Sequence, residues 1–194
     1  MIAMTLPARL RLALTALVVS LGLSACGLNT VPALEERAVS AWNEVQTQHR
    51  RRADLVATML DALKGLNQQE REVLAQVAEA RARAAQVPAD AAITTDPQRF
   101  KAFQDAQNQL STALGRLLVT VERYPELKSS AGFLAVQSQL EDVENRIAVG
   151  RRDYSDSARA YNTALNAIPG RWVAGFLHPG AKPMETFATN PGSE

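Results

Sequence analysis

Residues Ser130–Ile168 read SAGFLAVQSQLEDVENRIAVGRRDYSDSARAYNTALNAI. Within this stretch Phe133, Gln137, Leu140, Glu144, Ile147, Arg151, Tyr154, Ala158, Tyr161, Leu165 and Ile168 recur at alternating steps of four and three. That period puts them on one stripe of a helix, whereas successive residues of a strand alternate between its two faces. Kept up over about five heptads, it predicts coiled-coil-like packing against neighbouring helices. At 1.5 Å per residue the helix would be about 60 Å long.

The segments upstream show the same period. Pro125 ends a third helix that opens at Asp96-Pro97, an N-cap acceptor followed by proline at the first helical position. Its inward residues are Phe100, Phe103, Leu110, Leu114, Leu117 and Val121. A second helix is expected over 68–86, with Val73, Val77, Ala80 and Ala84 inward, and residues 88–95 read as a loop. A first helix is expected over 32–64, with Leu34, Ala38, Trp42, Val45, Met59 and Leu63 inward and its stripe broken by Gln48, His49 and Arg52.

Three short connections make these helices antiparallel neighbours, so the sequence predicts an all-α fold, an elongated up-and-down antiparallel four-helix bundle. Gly65-Leu66 reads as a helix-ending C′ glycine with its hydrophobic contact. If Gly65 instead only kinks one long helix, at a cost of about 1 kcal/mol, a three-helix bundle results.

The N-terminus carries an address. Arg9 and Arg11 precede the apolar run Leu12–Leu23, and Ser24-Ala25 lead into Cys26, the single cysteine of the chain. The run is shorter than the roughly 20 apolar residues a spanning helix needs. The pattern resembles a bacterial lipoprotein signal peptide, with residues 1–25 removed and Cys26 acylated. The alternative is an uncleaved anchor continuing to Leu28. Acyl chains contribute about 0.8 kcal/mol per buried methylene, so two or three of them hold firmly. Gly27 is not the aspartate that retains lipoproteins at the inner membrane, which favours an outer-membrane destination in a two-membrane envelope. The expected organisation is therefore a signal peptide (1–25), a lipidated tether (26–31), the bundle (32–168) and a partly disordered tail (169–194).

Cleavage would remove two of the 21 basic residues and none of the 20 acidic ones, leaving a net charge of −1. Near-neutrality argues against nucleic acid as the main partner. The two histidines, His49 and His178, lack metal-ligand spacing, and no carboxylate lies three or four residues from His49. One cysteine cannot build a zinc site. No nucleophile elbow, phosphate-cradling loop or dinucleotide fingerprint occurs, so the sequence implies no cofactor and gives no ground for an enzyme.

Two sets of residues remain as candidate sites. Arg52, Glu144 and Arg151 sit at inward-leaning positions, with Glu122, Asn145, Arg146, Tyr154 and Asn162 close by. Buried charges are costly unless paired, so these residues are expected to form an internal polar network that fixes helix register or binds a ligand. In the tail, Trp172, Phe176 and Leu177 beside Arg171 could rest in a lipid interface or cap the bundle end. From Pro179 onward, composition suggests disorder.

Several motifs in this chain resemble the LemA family. They include Trp42-x-x-Val45, Arg51-Arg52-Ala53-Asp54-Leu55, Glu79-Ala80-Arg81, Gln109-Leu110-Ser111 and Leu114-x-Arg116-Leu117. The most specific are Glu122-Arg123-Tyr124-Pro125-Glu126-Leu127-Lys128 and Gln139-Leu140-Glu141-x-x-Glu144-Asn145-Arg146-Ile147-Ala148, followed by Arg151, Tyr154 and Tyr161-Asn162. Ser155 stands where the family commonly has asparagine. The resemblance covers about residues 32–177. It implies a long helical bundle tethered at its N-terminus and displayed outside the cytoplasm, in a family whose biochemical activity is not established. No catalytic residue carries over. The expected function is a non-enzymatic, lipid-anchored scaffold or adaptor of the cell envelope with a protein partner there. A membrane-shaping module and a ligand or peptide sensor are the alternatives.

Overall fold

The computed structural model describes residues 29–64, 71–168 and 170–188. Helix α1 is Thr30–Ala62, α2 Arg71–Gln86, α3 Pro97–Val121, α4 Pro125–Lys128, α5 Ala131–Asn166 and α6 Gly170–Leu177. The segment expected to be a loop between α2 and α3 contains a 3-10 turn, Ala91–Thr95. No strand occurs among the described residues, and the protein is an all-α bundle.

The helix ends follow from local chemistry. The Asp96 carboxylate accepts the backbone N–H groups of Gln98 and Arg99, both at 3.0 Å, with Pro97 at the first helical position of α3. The Ser130 hydroxyl accepts the Phe133 N–H and opens α5. Gly65-Leu66 and the signal segment with Cys26 lie outside the described residues. Even so, the reversal between α1 and α2 is evident: Arg81 Nε donates to the Ala53 carbonyl at 2.6 Å, and these residues lie nine or ten positions from the facing helix ends. Two helices continuing past a kink could not make that bond, so the chain folds back.

Along α1 and α5, Trp42 faces Tyr154, Val45 faces Gly150 and Arg52 faces Glu144, so the two helices run antiparallel. They form one closely packed pair, and α2 with α3 forms the other. Large side chains fill the space between the pairs. Because α2 is short, it covers only one half of the bundle. There the core is Val56, Met59, Val77, Leu110, Leu117, Phe133 and Leu140. The other half is built on Trp42, Phe100, Phe103, Tyr154 and Phe187, whose rings lie 5.0–6.2 Å apart. Aromatic pairs at such distances add about 0.5–1.5 kcal/mol each beyond simple burial.

Phe187 corrects an expectation. Residues 181–188, expected to be disordered, instead run as an extended segment against α5 and the 3-10 turn, with Met184 and Phe187 buried. The side chains that hold this segment read its backbone. Asn162 donates to the Met184 carbonyl and accepts its N–H, both at 2.8 Å. Tyr154 donates to the Glu185 carbonyl at 2.7 Å, Ser155 accepts the Phe187 N–H at 3.2 Å, and the Glu185 N–H donates to the Thr94 carbonyl. Composition misses this because backbone recognition needs no particular tail sequence beyond two apolar side chains to bury.

Phe187→Ala should therefore cost about 3–5 kcal/mol, the usual range for emptying a buried phenylalanine site. Urea unfolding followed by circular dichroism would measure it. A loss below 1 kcal/mol would mean that the tail contributes nothing to the core.

Candidate functional site: a buried polar layer and an apolar bundle end

Between the two halves of the core lies a layer of polar side chains. Arg52 of α1 is its centre, with 2% of its side chain exposed. Its Nη1 donates to Ser111 Oγ at 2.9 Å and to Glu144 Oε1 at 3.0 Å. Its Nη2 donates to the carbonyl and the side-chain Oε1 of Gln107. One guanidinium thus ties α1 to α3 and α5 at mid-height, using the forked donor geometry that lysine lacks.

The ion pair is lopsided, because 41% of the Glu144 side chain is exposed while Arg52 is not. Arg151 lies two turns further along α5, with its guanidinium 4.3 Å from the centre of the Phe187 ring. Burial, and then Arg52, lowers its pKa, and Glu144 opposes that shift. His49 is also buried, edge-on to Phe103. Desolvation by burial, and then the charges of Arg52 and Arg151, push its pKa down to about 3, so at neutral pH it is uncharged. Three buried polar atoms, Gln48 Oε1, His49 Nδ1 and Arg52 Nε, have no hydrogen-bond partner among the described residues.

The predicted network is only partly a unit. Arg52 and Glu144 do come together; Arg151 feels both charges but rests on the Phe187 ring, and Tyr154 and Asn162 are drawn instead into holding the tail. Burial raises the pKa of the Tyr154 phenol, which keeps it a donor to the Glu185 carbonyl. The remaining three lie elsewhere. Glu122 pairs with Lys128 at 2.7 Å in the turn after α3, Arg146 pairs with Asp142 at 3.0 Å on the outer face of α5, and Asn145 is exposed. Their positions sit one step off the inward stripe, which on a helix turns a side chain to solvent. Sequence reasoning missed Gln107, Ser111 and the role of His49. The polar interruptions of the α1 stripe were the available signal for His49, and Gln107 interrupts the α3 stripe in the same way between Phe103 and Leu110.

A cleft of about 290 Å³ opens beside this layer, lined by Gln46, His49, Arg50 and Gln107 and by apolar residues of α2, α3 and the segment after α2. A larger hollow of about 550 Å³ between α2 and α3 has mostly charged and amide side chains around it, including Glu79, Arg83, Asp105 and Arg116. It shares no lining residue with the buried layer. No cluster of metal-ligating side chains occurs among the described residues.

The second candidate surface is the bundle end where α1 begins. There α6 packs on α5 and α1 through buried Ala174, leaving Phe176 89% exposed, and Ile168 just before it is 67% exposed. The side chains of Trp172 and Leu177 lie outside the described residues. No described helix is long and apolar enough to cross a membrane.

Two predictions follow from the charges. Glu144→Gln should cost about 1–2 kcal/mol, discounted for the exposure of Glu144, and Arg52→Met less, since water can solvate the carboxylate left behind but not the guanidinium. The reverse order in urea unfolding would overturn this account. His49 has a folded pKa of about 3, below the ordinary 6.5. The unfolded chain then binds the extra proton first, and stability present above pH 6.5 falls as pH drops toward 3. Between pH 7 and 5 that loss is about 2 kcal/mol. A His49→Leu variant should show a correspondingly flatter profile over that interval, and an unchanged slope would refute the assignment.

Comparison with known proteins gives a consistent family. Over 94 residues the chain is 34% identical to magnetosome protein MamQ of Magnetospirillum gryphiswaldense, a match covering 48% of this chain and 34% of that protein. The same identity and coverage hold for MamQ 2 of Paramagnetospirillum magneticum. Protein LemA of Metamycoplasma hominis is 26% identical over 121 residues, 62% of this chain and 51% of that protein. The chain thus matches about a third of the length of the MamQ proteins and half that of the LemA protein. The LemA family model matches residues 41–194, which span both core halves, the polar layer and the tail segment, and the chain belongs to the LemA family.

Proposed function

We propose that this protein is a non-enzymatic helical scaffold of the cell envelope, held at a membrane by acylated Cys26 and presenting the length of its bundle to an envelope protein partner. The observation that carries this reading is the exposure of Phe176 and Ile168 at the bundle end where α1 begins. Asn29 enters α1 there, only three residues after Cys26, a reach of about 10 Å. A lipid on Cys26 would therefore hold this same apolar end against the membrane surface. Phe176 and Ile168 would then reach the interfacial region, and α6, with Arg171 at its start, would lie along it. The opposite end, with α4 and the start of α5, would project outward. Neither the family description nor the relatives' names mention a catalytic activity. On this reading the protein faces the periplasm or the outside, and Gly27 directs it to the outer membrane where there are two.

A second reading, a module that shapes or senses lipid, draws on the same exposed Phe176. The two separate by experiment. In-cell crosslinking and affinity purification should recover one discrete envelope protein with wild type and lose it with Cys26→Ala. Recovery of lipid alone would favour the membrane-active module. In liposome flotation of the Cys26→Ala protein, Phe176→Ala should weaken binding by about tenfold, the equivalent of losing most of one buried aromatic side chain. Unchanged flotation would remove α6 from the membrane.

A further inference from the structure

The cleft beside the polar layer has features that the scaffold reading does not use. Its walls are largely apolar, with Ala84, Val87, Phe103 and Leu110 among the lining residues. Three lining side chains are polar and at least nine-tenths buried: Gln46, His49 and Gln107. His49 closes part of the wall as an uncharged ring whose Nδ1 is sealed from solvent.

The charge around the cleft has one sign. Arg50 stands in its lining, and no Asp or Glu does. Behind the wall, Arg52 and Arg151 both act on His49, and the two cations share the single carboxylate of Glu144. A ligand carrying positive charge would be repelled, and a wholly apolar one would leave Arg50 and the amides of Gln46 and Gln107 unanswered. A volume of 290 Å³ is worth about ten water molecules, so the occupant has on the order of ten non-hydrogen atoms.

We propose that this cleft, between α1, α2, α3 and the segment Val87–Ala89, binds a small amphiphilic carboxylate: a short apolar body with a single anionic head. The guanidinium of Arg50 and the amides of Gln46 and Gln107 are the donors available to the carboxylate. The alanines of α2 and the Phe103 ring take the body. Trp42 Nε1 donates to the carbonyl of Ala89 at 3.0 Å, which fixes one wall of the cleft to the aromatic core. The site is independent of the scaffold role, and either can fail without the other.

The test uses octanoate labelled with carbon-13 at the carboxyl group, titrated into the full-length protein in nanodiscs of zwitterionic lipid, with empty nanodiscs as the background. A saturable bound carboxyl resonance is expected. Arg50→Gln, a change at an exposed side chain that leaves the fold intact, should weaken it about tenfold, the worth of one charge-assisted hydrogen bond. Ala84→Phe, which fills the cleft, should abolish it, and octanol should compete at least about tenfold less well than octanoate. Equal competition by octanol would overturn the proposal, since the head would then go unread. So would a resonance that neither variant changes, or no saturable resonance at millimolar octanoate. If Ala84→Phe fails to fold, the Arg50→Gln titration decides alone.

Discussion

The arrangement of this bundle depends on the burial of one guanidinium. Arg52 has almost no contact with solvent, and its donors are shared among a hydroxyl, a carboxylate and two acceptors of a single glutamine. An apolar layer in the same place would leave helices free to slide by a turn, because leucine and valine accept many neighbours. A buried fork with partners at fixed heights on α3 and α5 does not, and a register shift would strand the charge at a cost of several kcal/mol. The layer thus separates two cores of different character. One is aliphatic and four-helical, and the other is aromatic and closed by the 3-10 turn and the tail segment. Specificity of alignment is obtained here at the expense of stability, since three buried polar atoms find no partner among the described residues.

Most of the architecture was legible in the sequence, for identifiable reasons. The heptad-like stripe of α5 and the Asp96-Pro97 start of α3 are strong local signals, and both helices fall within a few residues of expectation. α1 begins two residues earlier than expected. The charged residues on the stripe, Arg52, Glu144 and Arg151, were legible for the same reason, because a charge at an inward position must find a partner. Glu122, Asn145 and Arg146 looked similar on paper but lie off the stripe, where the helix turns them to water and each charge pairs locally.

What the sequence concealed was tertiary. The tail segment has no periodicity, because its fit comes from its own backbone groups meeting Asn162, Tyr154, Ser155 and Thr94. Ser155, where the family commonly carries asparagine, still holds the Phe187 N–H through a shorter side chain. Gln107 stands on the α3 stripe, four residues after Phe103 and three before Leu110, but nothing local shows that Arg52 reaches it from another helix. Ser111 lies off the stripe at an exposed position, and only the Arg52 fork reaching across gives it a role.

The pairing of α1 with α5 also constrains the order in which the molecule can be made. Arg52 and Glu144 are 92 residues apart in the chain. At about 5–20 residues per second, a ribosome needs roughly 5–20 s to make the helix that completes α1's seam. During that interval Trp42, Val45, Val56 and Met59 have no α5 to cover them, and α2 shields only the far half. The α1 seam therefore spends a long window as exposed apolar surface. The aromatic half closes last of all, since its rings meet only once α5 and then Phe187 of the tail segment have been made.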